Sequence, residues 1–154
     1  MRQSAAMNAG TLTLALALFA GVLMAIQAPT NAILGKATGS PVVAALISFI
    51  VGSVALAAVV AGTAGRLFAP ELKSVPWYAW LGGFYGAFFV AIAAFGAPKV
   101  GVGPLLTAAI AGQLLGAVTL DHYGLLGLAR QPVNIEKIGG VVLVLLGAWM
   151  VRRG

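Results

Sequence analysis

Charged residues are so few and so clustered in this chain that they divide it into long uncharged runs, and those runs decide what it can fold into. Residues 3–35, 37–65, 74–98 and 100–120 contain no Asp, Glu, Lys or Arg, and a fifth run covers 138–151. About 20 consecutive apolar residues cross a hydrocarbon core of about 30 Å, so the first four runs are long enough outright. The fifth has 14 residues, a helix only ~21 Å long. It can still span if Lys137, Arg152 and Arg153 snorkel and Val133 to Ile135 lie in the interface. The predicted spans are 11–33, 42–64, 77–97, 101–120 and 134–152, within a single membrane domain covering 1–154. Four spans with a re-entrant last segment is the alternative parsing. The N-terminal run from Thr11 to Ile26 exceeds the apolar region of a secretory signal, and no A-x-A site follows it, so it reads as a retained helix.

Composition agrees with this parsing. The chain is 61% hydrophobic and 8% charged, with a mean hydropathy of +1.04. A soluble domain carries about 25% charged residues, so lipid must cover much of the outside. That excludes most soluble enzymes and nucleic-acid binders despite the net charge of +6. With no cysteine there is no disulfide framework and no thiolate chemistry. No H-E-x-x-H, G-x-S-x-G or phosphate loop occurs, and Gly101-x-Gly103 lacks the strand and third glycine of a dinucleotide site. One His and three acids do not build the usual intramembrane metal site. The expectation is a non-enzyme with no catalytic residues, metal or cofactor. The fold class that follows is all-α and polytopic, with five transmembrane helices.

The basic residues carry the topology signal. Five spans put Arg2, Arg66, Lys73, Arg130 and Lys137 on one side, and Lys36, Lys99, Arg152 and Arg153 on the other. That is five against four, almost without the positive-inside bias that orients most membrane proteins. The functional reading is dual topology, in which copies insert both ways and pair antiparallel, giving a ten-helix transporter with inverted halves. An oppositely oriented paralogue as partner, or a weakly biased monomer, are the other readings. Small residues four apart, at Gly82/Gly86, Gly112/Gly116, Ser48/Gly52 and Ala17/Gly21/Ala25, allow close helix packing, within the chain or at a dimer face.

Polar residues at depth need a partner or a hydrated cavity. Gln27 and Asn31 share a face of the first span. Pro29, between them, removes an N–H and leaves the carbonyl of Ala25 free, which predicts a broken helix there. Gln113 stands in the middle of the fourth span. Gln27 about 11 Å, Gln113 about 14 Å and Tyr85 about 12 Å into their spans reach a similar level. They are candidate substrate contacts in one cavity, or else amides that glue helices together. Asn31 reads as a helix-end residue and a further candidate contact, and Trp80 as a gate at one mouth. Trp77, Tyr78 and Trp80 mark one interface and Trp149 the end of the last span. Pro98, Gly101 and Gly103 lie in a predicted bend at 97–104 and, with Pro29, are candidate hinges. Asp121 and His122 close the fourth span as a possible proton relay or as a marker of the water interface.

Four stretches carry a family resemblance. They are Gln27 to Gly35 (QAPTNAILG), Pro76 to Gly83 (PWYAWLGG), Gly112 to Leu115 (GQLL) with Asp121 to Gly127 (DHYGLLG), and the glycine-rich last helix. In this order they resemble the EamA-like, short five-helix branch of the drug/metabolite transporter superfamily, the YdcZ-type inner-membrane exporters. The resemblance covers nearly the whole chain. It implies five helices per subunit, the bacterial inner membrane, dual-topology or paired subunits, and export of a small metabolite or drug-like molecule by alternating access. The first-helix glutamate that small multidrug exporters use for proton exchange is absent, and Gln27 and Gln113 are uncharged. The partners expected are a small-molecule substrate, membrane lipid and a second subunit. A non-transporting membrane scaffold or accessory subunit is the alternative function.

Overall fold

The computed structural model describes residues 2–63 and 70–153, and every regular element among them is helical. Five α-helices follow one another: α1 (Arg2–Thr38), α2 (Pro41–Gly62), α3 (Gly82–Val100), α4 (Val102–Tyr123) and α5 (Ile135–Arg153). Short 3₁₀ turns cover Pro70–Ser74, Trp77–Leu81 and Leu125–Gly127. Ala64, the last residue of the second predicted span, and Arg66 lie outside the described residues.

Four helices are long and apolar enough to cross a membrane: Gly10–Thr38, Pro41–Gly62, Trp77–Val100 and Val102–Tyr123. They coincide with the first four uncharged runs, because removing charge is what makes a 20-residue segment tolerable in hydrocarbon. The fifth helix forms, but Glu136, Lys137, Arg152 and Arg153 occupy its two ends. Its apolar middle is accordingly short.

The chain divides into two compact units, Met1–Lys99 and Val100–Gly154. In the first, α1 and α2 form an antiparallel hairpin. Ser40 caps α2 by accepting from the Val43 N–H at 3.3 Å, and Pro41 follows it at the first helical position, where its missing N–H leaves no bond unmade. The buried residues of α1, α2 and α3 are almost all alanine: Ala28, Ala32, Ala44, Ala45, Ala93, Ala94 and Ala97, with Val90. Small side chains bring the axes of α1 and α2 close, the usual solution where the surroundings are as apolar as the core. The large apolar side chains, Leu14, Leu18, Leu46, Val54, Phe84 and Phe88 among them, point outward and are exposed. This is the inverse of a soluble core and matches a lipid exterior.

In the second unit α4 and α5 pack as another antiparallel pair. A Cβ on Gly103, in the first turn of α4, would touch Val151 near the end of α5 at 3.5 Å. At the other end, the Val133 N–H donates to His122 Nδ1 at 3.1 Å, and Asn134 caps α5 by accepting from the Lys137 N–H at 2.8 Å. The two helices therefore run alongside each other over nearly their whole length.

Two expectations about breaks are corrected. Helix α1 runs through Pro29 without interruption. The adjacent Thr30 hydroxyl bonds back into the same turn, donating to the carbonyls of Ile26 at 3.1 Å and Gln27 at 2.8 Å. The carbonyl of Ala25 still lacks its usual partner, because position 29 has no N–H. The eight-residue bend expected at 97–104 contracts to a single residue. Pro98 lies inside α3, Gly103 lies inside α4, and only Gly101 separates the two helices, at φ +84° and ψ 156°. That left-handed φ is open to glycine and strained for other residues.

Candidate functional site

The polar residues of the first unit meet along the α1–α2 hairpin. Asn31 lies seven residues before the end of α1 and Ser48 seven residues after the start of α2, so both sit about 10 Å from the connecting turn. The Ser48 hydroxyl donates to Asn31 Oδ1. Asn31 is 2% exposed, the single buried polar residue among those described, and its Nδ2 has no hydrogen-bond partner among the described residues. It is not a helix end, as expected from the sequence, since α1 continues seven residues beyond it.

Gln27, one turn before Asn31 on the same face of α1, opens onto a cavity of about 180 Å³. Ser48, Phe49, Gly52, Ser53 and Leu56 of α2 form its other wall. This cavity presents an amide, two hydroxyls and an aromatic ring, and no charged side chain. Such a lining selects by hydrogen bonding and shape rather than by ion pairing. Ser48 and Ser53 escaped the sequence reading as site residues. The signal was present, since they are the only polar side chains between 42 and 62.

The other candidates are distributed elsewhere. Tyr85 lies in the first turn of α3, exposed, edge-on to Phe84 with ring centroids 6.4 Å apart, and does not line the Gln27 cavity. Trp80 is exposed in the 3₁₀ turn before α3, beside the exposed Trp77 and Tyr78. Gln113 belongs to the second unit and is exposed on α4 next to Gly112, which has open space where a Cβ would sit. Asp121 and His122 end α4. The Asp121 carbonyl accepts from the Gln131 N–H at 2.7 Å, the His122 carbonyl from Arg130 Nε at 3.1 Å, and His122 Nδ1 from Val133. With Nδ1 an acceptor, the neutral ring carries its proton on Nε2. These bonds tie the 124–134 link back onto α4, where Gly124 turns the chain at φ +65°. Among the described residues no three His, Asp or Glu side chains gather as metal ligands would.

Residues 12–150 match the family model described as "Putative inner membrane exporter, YdcZ". The match takes in all five helices and the whole polar hairpin. The chain belongs to this family. It is also similar to the inner membrane protein YdcZ of Escherichia coli (strain K12), at 29% identity over 146 residues, covering 93% of this chain and 96% of that protein. No solved structure matches it. As a member of an inner-membrane exporter family with several apolar membrane-length helices, it is a multi-pass inner-membrane protein. The family assignment also fits a chain with no enzyme signature.

Proposed function

We propose that this chain is one half of a secondary transporter, exporting a small metabolite or drug-like molecule by alternating access, with two oppositely oriented copies making the working unit. The observation that carries this reading is the uncharged polar cavity at Gln27, backed by the buried Asn31–Ser48 pair with an unused amide N–H. A sealed scaffold has no reason to keep a donor unpaired in hydrocarbon, where it costs about 1–3 kcal/mol. A transport pathway does, because substrate or water takes the bond. Gln27 and Ser53 contact substrate from opposite walls, and the buried Asn31 holds Ser48, which also lines the cavity, in place. Gln113, Tyr85 and Trp80 join the pathway from the remaining helices and from the second copy.

The five-span, single-domain arrangement belongs to the same reading. Since α5 runs beside α4 from end to end, a membrane that α4 crosses is crossed by α5 as well, with its terminal charges in the headgroups. Gly101 serves as the hinge, being the lone residue between α3 and α4 and lying next to the boundary between the two compact units. Gly52, Gly82, Gly112 and Gly116 have open space where a Cβ would sit, which leaves room for the close approach of a partner. Asp121 and His122 stand outside the pathway in this reading, as the clasp of the α4–α5 link.

The test is solute release from proteoliposomes loaded with an isotope-labelled mixture of small metabolites, read by mass spectrometry. Wild-type protein empties at least one solute faster than protein-free vesicles. Gln27→Ala and Gln113→Ala insert normally but release it at least tenfold more slowly. Full release by both variants overturns the site, and no release of any solute by well-inserted wild type favours the scaffold.

A further inference from the structure

We propose that the facing ends of α1 and α3 form a binding site for the phosphate group of an anionic phospholipid. Lys36 lies in the last turn of α1 and Lys99 in the last turn of α3. They are 63 positions apart, yet both line one cavity of about 210 Å³, with Ala32, Pro41, Ala94 and Phe95 around it. Either lysine alone has a local explanation, since a cation favours a helix C-terminus and lysines snorkel at the ends of membrane spans. Together the two lysines make one cavity with two cationic walls, which an anion lying between them would satisfy at once. The chain up to Lys99 contains one acid, Glu71. It lies in the turn Pro70–Ser74 before α3, with the 19-residue length of that helix between it and Lys99, about 28 Å. The counter-charge therefore has to come from outside this unit.

The geometry favours a phosphate on an amphiphile over a free ion. Lys99 Nζ lies 3.4 Å from the centroid of the Phe95 ring, a cation–π contact that holds the ammonium at the cavity rim. Pro41, the first residue of α2, brings the positive end of that helix dipole to the same rim. The rest of the wall is largely apolar, from alanine methyls, two proline rings and a phenyl ring, which a glycerol backbone and the first acyl carbons cover and a hydrated ion does not. A lipid of net negative charge satisfies both lysines. A zwitterionic lipid brings its own ammonium and competes with them.

The experiment titrates the full chain in detergent with phosphatidylglycerol or phosphatidylcholine of matched acyl chains, counting bound lipid by native mass spectrometry. Wild type holds one phosphatidylglycerol in clear preference to phosphatidylcholine. Lys36→Gln or Lys99→Gln weakens that binding about fivefold, and the double change about twenty-five-fold. Lys36→Arg with Lys99→Arg keeps it, because the charge stays. Arg152→Gln with Arg153→Gln removes as much charge elsewhere and leaves binding unchanged. Equal weakening in that control, or loss in the doubly arginine-substituted protein while it remains helical, overturns the site. Displacement of the lipid by millimolar inorganic phosphate assigns the site to a soluble anion instead and overturns the lipid assignment.

Discussion

Ser48 gives Asn31 the only partner the hairpin supplies, and in hydrocarbon that bond does two things at once. It joins α1 to α2, and it fixes the amide so that Nδ2, the group without a partner, keeps one orientation. Interhelical hydrogen bonds in membranes contribute about 0.5–2 kcal/mol. Ser48→Ala should therefore lower the unfolding free energy in detergent by about that amount, and Asn31→Ala with Ser48→Ala together should cost little more than either alone. Fully additive losses would mean that the two side chains do not interact. Gln27 was legible as a cavity residue because an amide in an apolar run stands out. Ser48 and Ser53 were not, because a single hydroxyl is cheap in a helix and commonly bonds back to its own turn. Nothing local says that Ser48 meets Asn31. That follows only from the register of the hairpin, set by the turn at Gly39 and the cap at Ser40.

Among the elements, the first four membrane-length helices were legible, since hydrocarbon forbids charge, but not their ends: α1 runs past Lys36 to Thr38 and α4 past Asp121 to Tyr123. The breaks were harder to read. Pro29 and Pro98 both looked like interruptions, yet both lie inside continuous helices, because a helix loses only one hydrogen bond to an internal proline. The break falls instead at Gly101, whose backbone rather than its neighbours makes the turn. Gly101→Ala should accordingly cost about 1–3 kcal/mol in unfolding free energy. Gly21→Ala, in the middle of α1 with no atom within 4 Å of the added carbon, should be neutral or stabilising. Equal effects at the two positions would show that Gly101 is not held in its left-handed conformation. The fifth helix was the least legible because its charges stand at both ends, so length alone does not say whether it spans. Its packing along α4, with Val151 beside Gly103 and the preceding link tied by Val133 to His122, is tertiary information.

For the whole molecule, alanines inside and large apolar side chains outside describe a protein whose solvent is lipid. A single copy has small packing residues and modest cavities in its first unit. That is little with which to enclose a solute and then open to each side of a membrane in turn. In the proposed reading, an inverted second copy would supply the missing wall and the symmetry that alternating access uses. On the proposed five-crossing arrangement the charge distribution would let one chain provide both copies: five basic residues would face one side and four the other, too even a split to impose one orientation. The measurement that tests this most directly is the orientation of the C-terminus, using paired fusions to one reporter active only in the cytoplasm and another active only outside it. Comparable activity from both fusions is the result expected of a chain that pairs with an inverted copy of itself. Activity from one alone, at full expression of both, would contradict self-pairing.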